Sequence, residues 1–380
     1  MFIIIKPTEI CNLDCVYCFI NKKPLYERMS EDQAIKILES VQEYAQTSTH
    51  DQITICWHGG EPLALGFRFY EMVLRKFAHN AALPKIRQTI QTNLTLLTND
   101  YCSLFSEYGV TISTSLDGPE HYHNLSRKFR NGVGSFRSVM NGIELANKNK
   151  IKIGIICMLS KFNFNEHFIL YDFFKSLHLP YKVNSIHTIG RKDYDETAID
   201  YRQYADALVY FFERFISDPE PKFPEGQSFR IARSLLVNFN PACPFLSNCQ
   251  DNIVSINANG DVFPCESFPH VKNNSQFFYG NVLKNSFADI MNSDNRKAVR
   301  LRRVESLENC SSCRYSQICN GGCMIEGFNR RGRLFDETVH CKEIKYMFSR
   351  FEEILQQTGL KQQFRTLSKE RGIDLEFASL

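Results

Sequence analysis

The sequence predicts an α/β fold in which a parallel sheet of six strand–helix units is followed by a smaller, cysteine-rich second domain. Three observations carry this. Apolar β-rich segments alternate with helix-like segments from residue 2 to about 235. The texture then changes to short apolar runs and turns such as Asn259-Gly260-Asp261. Finally, eight of the fourteen cysteines crowd the last third of the chain.

The six predicted strands are Phe2 to Lys6, Ile53 to Trp57, Ile86 to Gln91, Val110 to Ser115, Ile151 to Leu159 and Tyr181 to Ile186. The first helix is placed at Ser30 to Tyr44, because Ser30 followed by Glu31 and Asp32 is an N-cap signal and Ala34, Ile35, Ile37, Leu38 and Val41 recur at helical spacing. Further helices are expected near Phe67 to Ala78, Asp100 to Tyr108, Ser135 to Asn147, Asn165 to Leu177 and Ala198 to Ile216. Strands alternating with helices imply a parallel sheet with helical crossovers, and such sheets carry their sites at the carboxyl ends of the strands. The expected organisation is residues 1–235 as the first domain, 236–345 as the second and 346–380 as a C-terminal helical tail.

The 45 basic and 42 acidic side chains leave a net charge of +3, too balanced for a dedicated nucleic-acid or membrane surface. The apolar run Met1 to Ile5 is followed, not preceded, by Lys6, so it lacks the order and length of a signal peptide. No run of about 18 apolar residues is present to span a bilayer. A cytoplasmic protein with neither nucleic-acid nor membrane partners is expected. In a reducing compartment, fourteen cysteines point to metal rather than disulfides.

Cys11, Cys15 and Cys18 directly follow the first strand. Three thiolates in one tight loop can hold three irons of a cubane, leaving the fourth iron open to a substrate or cofactor. Half of a zinc site is the competing reading; it lacks a fourth Cys or His nearby. The C-x3-C-x2-C spacing followed by Phe19 resembles the signature of the radical S-adenosylmethionine superfamily. The resemblance implies a partial (β/α)6 TIM-like barrel, a [4Fe-4S] cluster on the trio, and S-adenosylmethionine cleaved to a 5′-deoxyadenosyl radical. Trp57-His58-Gly59-Gly60-Glu61-Pro62 looks like the family's glycine-rich segment that approaches the methionine amino group. Gln91-Thr92-Asn93 and Ser115-Leu116-Asp117 resemble its ribose- and carboxylate-binding stretches. Relatives usually read Gln-Thr-Asn-Gly, where this chain has Leu94. By the same resemblance Arg127 pairs with the methionine carboxylate through its planar fork, the alternative being an exposed surface arginine.

Cys249, Cys265, Cys310, Cys313, Cys319, Cys323 and Cys341 reproduce the seven-cysteine pattern of the SPASM domain, and Cys243 makes eight. The resemblance implies two auxiliary [4Fe-4S] clusters, three clusters in all, with Cys243, Cys249, Cys265 and Cys323 on one and Cys310, Cys313, Cys319 and Cys341 on the other. A pair of structural zinc sites is the alternative. The clusters are expected to relay an electron to or from a substrate radical. Cys56, Cys102 and Cys157 remain as small buried hydrophobes. Glu266, directly after Cys265, stands where anaerobic sulfatase maturases carry an acidic residue taken as the base; a surface turn is the other reading.

The expected function is a peptide-modifying oxidoreductase that abstracts hydrogen from a peptide or protein side chain, forming a cross-link in a ribosomally synthesised peptide. Anaerobic sulfatase maturation, making formylglycine from Cys or Ser, is the alternative, weakened by Ile20 where those relatives tend to carry tyrosine. An iron-sulfur electron-transfer scaffold is the non-enzymatic reading. Expected partners are the substrate and an electron donor such as flavodoxin or ferredoxin. Only ten residues precede Cys11, so leader recognition is expected from a separate protein or the barrel surface.

Overall fold

The structure, a computed structural model, describes residues 1–20, 28–78, 86–186, 194–238, 243–246, 249–271 and 273–357. The part of the expected C-terminal tail at 358–380 lies outside the described residues. Six parallel strands form the first sheet: β1 (Phe2–Thr8), β2 (Ile53–Gly59), β3 (Ile86–Thr92), β4 (Thr111–Ser115), β5 (Ile153–Leu159) and β6 (Tyr181–Ser185). Each pairs in parallel with the next, as in Ile3 with Ile55 and Ile90 with Ile112. The crossovers carry α1 (Glu31–Thr47), α2 (Phe67–Ala78), α3 (Asn99–Glu107), α4 (Glu120–Ser126), α5 (Phe136–Lys148) and α6 (His167–Leu177).

Local chemistry explains the boundaries. Ser30 accepts from the Gln33 backbone while the Gln33 side chain accepts from Ser30 N–H, a complete capping box that starts α1. The α1 face bearing Ala34, Ile37, Leu38, Val41 and Ala45 is buried, as its spacing requires. Trp57 is 1% exposed; its indole N–H donates to Gln88 Oε1 at 2.9 Å and its ring meets Phe69 and Tyr70 of α2 edge-on. Cys56, Cys102 and Cys157 are all buried.

Beyond the six units, a strand from the cysteine-rich region, β7 (Ile253–Asn257), pairs in parallel with β1, placing Lys6 beside Asn257. β8 (Asp261–Phe263) and β9 (Gly280–Asn281) follow in antiparallel order, giving the sheet order β6-β5-β4-β3-β2-β1-β7-β8-β9 among the described residues. β1 is therefore an interior strand, covered on both sides, and no edge is left beside the first cysteine loop. The Asn259–Asp261 turn predicted from sequence joins β7 to β8, with Gly260 at φ +86°. The helix Cys341–Gln356 packs on the helices Tyr201–Ser217 and Gly226–Val237, with Phe351 and Phe212 rings 5.2 Å apart. No helix among the described residues is long and apolar enough to cross a membrane.

Candidate active site

The cysteine loop leaves the carboxyl end of β1 and is held by backbone bonds to a segment 110 residues away in sequence. Asp14 N–H donates to Lys128 O at 2.8 Å, Val16 N–H to Ser126 O at 3.0 Å, and Leu13 bridges Phe129. Arg130 Nε adds a bond to Cys11 O at 2.8 Å. Cys11, Cys15 and Cys18 thereby share one electrostatic neighbourhood. Burial is the main cause that pushes Cys11 up to about 11 and Cys15 to about 12; the neighbouring cysteines add to it and Arg127 opposes it. N–H groups aim at sulfur: Leu13 N–H at 3.4 Å and Asn93 Nδ2 at 3.9 Å from Cys11 Sγ, and Arg127 Nη1 at 3.8 Å from Cys15 Sγ.

Gly59 and Gly60 bring the end of β2 against this loop. Gly60 N–H donates to Thr8 O and Glu61 N–H to Ile10 O, at 2.8 and 2.9 Å. A Cβ on Gly60 would lie 2.3 Å from Ile10 O, so only glycine permits the approach. The Glu61 carboxylate is fully buried and accepts from Leu63 N–H, Thr92 OH and Asn93 N–H. It thus ties β2 to β3 and is already engaged by protein donors. Burial nevertheless raises it to about 7, with those three bonds opposing.

Asn93 donates to Asn12 Oδ1 at 2.9 Å inside the cysteine loop, and Gln91 Nε2 reaches Ser115 Oγ at 3.1 Å across the ends of β3 and β4. Leu94, the departure from glycine, occupies the left-handed region at φ +61° while 1% exposed. Its backbone and Cβ press on α5 where Gly142 leaves room.

Asp117 and Arg127 meet each other: Arg127 Nε donates to Asp117 Oδ2 at 3.0 Å, and Tyr17 OH from the cysteine loop donates to the same oxygen at 2.5 Å. The Arg127 guanidinium lies 5.2 Å from the Tyr17 ring centroid and the residue is 8% exposed, which excludes the surface reading. Sequence reasoning did not single out Tyr17; its only signal was an aromatic inside the cysteine spacing.

Glu266 is not in an isolated surface turn. Its Oε2 lies 3.3 Å from His58 Nδ1 at the end of β2, and its carbonyl accepts from Lys6 Nζ at 3.1 Å. Lys6, 1% exposed and 3.9 Å from Glu9 Oε1, has its ammonium pKa pushed down by burial, with the Glu9 charge opposing. Lys6, given no role by the sequence, docks Cys265-Glu266 onto the barrel through the Glu266 carbonyl, while His58 Nδ1 accepts from Gly59 N–H at 2.7 Å and stands beside the Glu266 carboxylate.

The C-terminal cysteines fall into two groups. Cys265 senses Cys243 and Cys249, and Cys323 senses Cys243 and Cys265. Cys319 senses Cys310, Cys341 and Cys313, and these four line a small cavity with Tyr315 and Ile344. Among the described residues no three His, Cys, Asp or Glu side chains converge on a point that could hold a single metal ion. Four thiols around a cavity suit a polynuclear iron-sulfur cluster, whose ligands stand at the corners of a larger body. The trio, with sulfur-directed N–H donors and three thiols rather than four, fits a cluster with one open position.

Residues 5–173 match the radical SAM superfamily and residues 243–314 match the SPASM iron-sulfur cluster-binding domain. An uncharacterized protein from Synechocystis is 30% identical over 356 residues, covering 90% of this chain and 88% of its own. The serine-type anaerobic sulfatase-maturating enzyme of Bacteroides thetaiotaomicron is 28% identical over 356 residues, 87% of this chain and 84% of its own. Among solved structures, native anSMEcpe with bound AdoMet superposes with a TM-score of 0.81 at 20% identity, covering 96% of this chain and 99% of that one.

Proposed function

This chain belongs to the radical SAM superfamily and carries a SPASM iron-sulfur domain, and on that premise we propose that it oxidises a peptide or protein side chain. The observation that supports this most is the convergence of the three-cysteine loop with Gly60-Glu61, Gln91-Asn93 and Ser115 at the carboxyl ends of β1 to β4. Cys11, Cys15 and Cys18 hold the catalytic [4Fe-4S] cluster. Bound there, the cluster and S-adenosylmethionine supply one electron and the 5′-deoxyadenosyl radical released when the sulfonium is cleaved, from a potential at the low end of a range that extends to roughly −700 mV.

The chain's own residues do the rest. Gly59 and Gly60 keep the backbone close to the loop, Gln91 and Ser115 offer polar ends at the rim, and Asp117 orients Arg127 so that one face of its fork is directed at Cys15 and its remaining donors can take a carboxylate. Glu266, held beside His58, accepts the proton lost when the substrate radical is oxidised, making the reaction net two-electron. The two C-terminal quartets would hold the auxiliary clusters, which when bound would supply an acceptor for that electron. An electron donor such as flavodoxin or ferredoxin completes the cycle.

Two outcomes share this chemistry. A cross-link in a ribosomally made peptide is the first reading, and the Trp57-His58-Gly59-Gly60-Glu61 version of the glycine segment supports it. Formylglycine formation is the second, supported by the sulfatase-maturating relative that aligns over most of both chains. A short neighbouring reading frame with a repeated aromatic or Cys/Ser motif favours the first, and a neighbouring sulfatase the second. The shared premise is tested by anaerobic reconstitution with iron and sulfide followed by S-adenosylmethionine and dithionite. Wild type is expected to release 5′-deoxyadenosine, Cys15→Ala none, and Cys313→Ala the nucleoside without the modified peptide. Absence of 5′-deoxyadenosine from wild type would favour the electron-transfer scaffold.

A further inference from the structure

Between the two C-terminal quartets lies a buried cation that neither cluster reading requires. Arg302 is 5% exposed. Nε donates to Leu334 O at 3.0 Å, and Nη2 donates to Asp336 O at 2.9 Å and Gly321 O at 3.4 Å. All three partners are neutral carbonyls. Among the described residues no carboxylate lies within ion-pair distance of it, although a buried guanidinium without counter-charge is expensive.

The groups that would supply its counter-charge are cysteines, once cluster binding ionises them to thiolates. Arg302 lies within electrostatic reach of Cys249 and Cys323 of one quartet and of Cys310 and Cys319 of the other. The relation is reciprocal, since Arg302 acts on Cys249 and on Cys310 in turn.

Backbone geometry shows how the position arises. Cys319 and Cys323 belong to different quartets, and the chain between them turns through three consecutive left-handed residues: Asn320 at φ +52°, Gly321 at +75° and Gly322 at +66°. Arg302 grips the middle of that turn. A Cβ on Gly321 would lie 2.2 Å from Leu307 Cδ1, so glycine there lets the turn pack against Leu307 with Arg302 Nη2 alongside. Gln250 Nε2, next to Cys249, fixes the other side by donating to Arg302 O at 2.6 Å. Arginine suits the place because its planar fork can satisfy three carbonyls and stay charged.

We propose that Arg302 is a positive charge shared by the two auxiliary clusters, which holds the reduction potential of each above the value its four thiolates alone would set. The proposal rests on the reading that each quartet carries a cluster. A cation beside an all-thiolate cluster favours the reduced state, which is the more negative one, and in a low-dielectric interior the effect reaches both sides. Arg302 is a positioning residue for electron relay rather than one that touches substrate.

The test uses the full chain with Cys11, Cys15 and Cys18 all replaced by Ala, so that only auxiliary clusters remain, reconstituted with iron and sulfide. Iron content is read first: less than two clusters' worth overturns the reading of the quartets, and the proposal falls with it. Redox titration followed by electron paramagnetic resonance then gives both midpoints. Arg302→Gln is expected to move both to more negative potential. Should that variant fail to assemble, Arg302→Lys carries the test; its compact ammonium is displaced from the fork's position, and both midpoints are expected to move in the same sense by less. In whichever variant is read, movement of only one midpoint, or of neither, overturns the proposal, because a residue that merely clamps the 319–323 turn leaves the potentials unchanged.

Discussion

Asp117 is fully buried and takes three donors at once: Tyr17 OH at 2.5 Å, Arg127 Nε at 3.0 Å and Met158 N–H at 3.0 Å. Its motif was visible in the sequence, whereas its pairing with Tyr17 and Arg127 was not, because contacts between residues 17, 117 and 127 are made by the fold. The same neighbourhood supplies a pH signature. His123 Nδ1 accepts from Asp117 N–H, which leaves Nε2–H to donate to Ser135 Oγ at 2.9 Å, so the ring is held neutral. Burial, with Arg127 adding and Asp117 opposing, pushes it from 6.5 to about 4. The folded value is depressed, so this contribution is fully present above pH 6.5 and is lost as pH falls from there through about 4. Its full size is roughly 3 kcal/mol. Urea midpoints measured anaerobically between pH 7 and 5 should therefore decline more steeply for wild type than for His123→Gln; parallel curves would contradict the assignment. Glu266→Gln should slow product formation by roughly a hundredfold, within the range for a general base, while 5′-deoxyadenosine release continues. An unchanged product rate would place Glu266 outside the chemistry.

Elements were the most legible level. The six strands and the six helices expected from the sequence lie within a few residues of where periodicity and caps place them, because long apolar alternation and Ser30 chemistry are local signals, whereas the short α4 had no such signal. The helix Gly226–Val237 escaped notice: its buried set includes Gln227, Ser228, Arg230 and Ser234, so polar residues interrupt the apolar stripe that marks an amphipathic helix. Leu94 is instructive in the same way. A leucine at φ +61° is strained by roughly 1 kcal/mol or more, and here burial offsets that strain against a glycine on α5. A Cβ on Gly142 would sit 2.7 Å from Leu94 Cβ and 2.8 Å from its carbonyl oxygen. Gly142→Ala is thus expected to destabilise by about 1–3 kcal/mol, and by less when Leu94 is already glycine, since one of the two clashes is gone. Equal losses in both backgrounds, read from urea unfolding, would show that the two positions are not coupled.

At the scale of the whole molecule, the cysteine-rich region shares one sheet with the barrel strands. β7 pairs with β1, Lys6 reaches Glu266 O, and Cys265 is thereby held next to the strand that launches Cys11. Cysteine spacing signalled metal in both regions, yet it could not reveal this adjacency, since Ile253 to Asn257 reads locally as an isolated short strand and its partner lies some 250 residues earlier. The arrangement brings the three-cysteine loop and the Cys265-Glu266 segment onto nearby strands of one sheet. The most direct test is electron paramagnetic resonance of the reduced, reconstituted protein before and after S-adenosylmethionine, with the Cys11→Ala/Cys15→Ala/Cys18→Ala variant as reference. The account predicts that wild type carries one cluster more than the variant and that S-adenosylmethionine alters that cluster's signal, with nitrogen coupling from the methionine amino group. Equal iron in the two proteins, or a wild-type spectrum indifferent to S-adenosylmethionine, would contradict it.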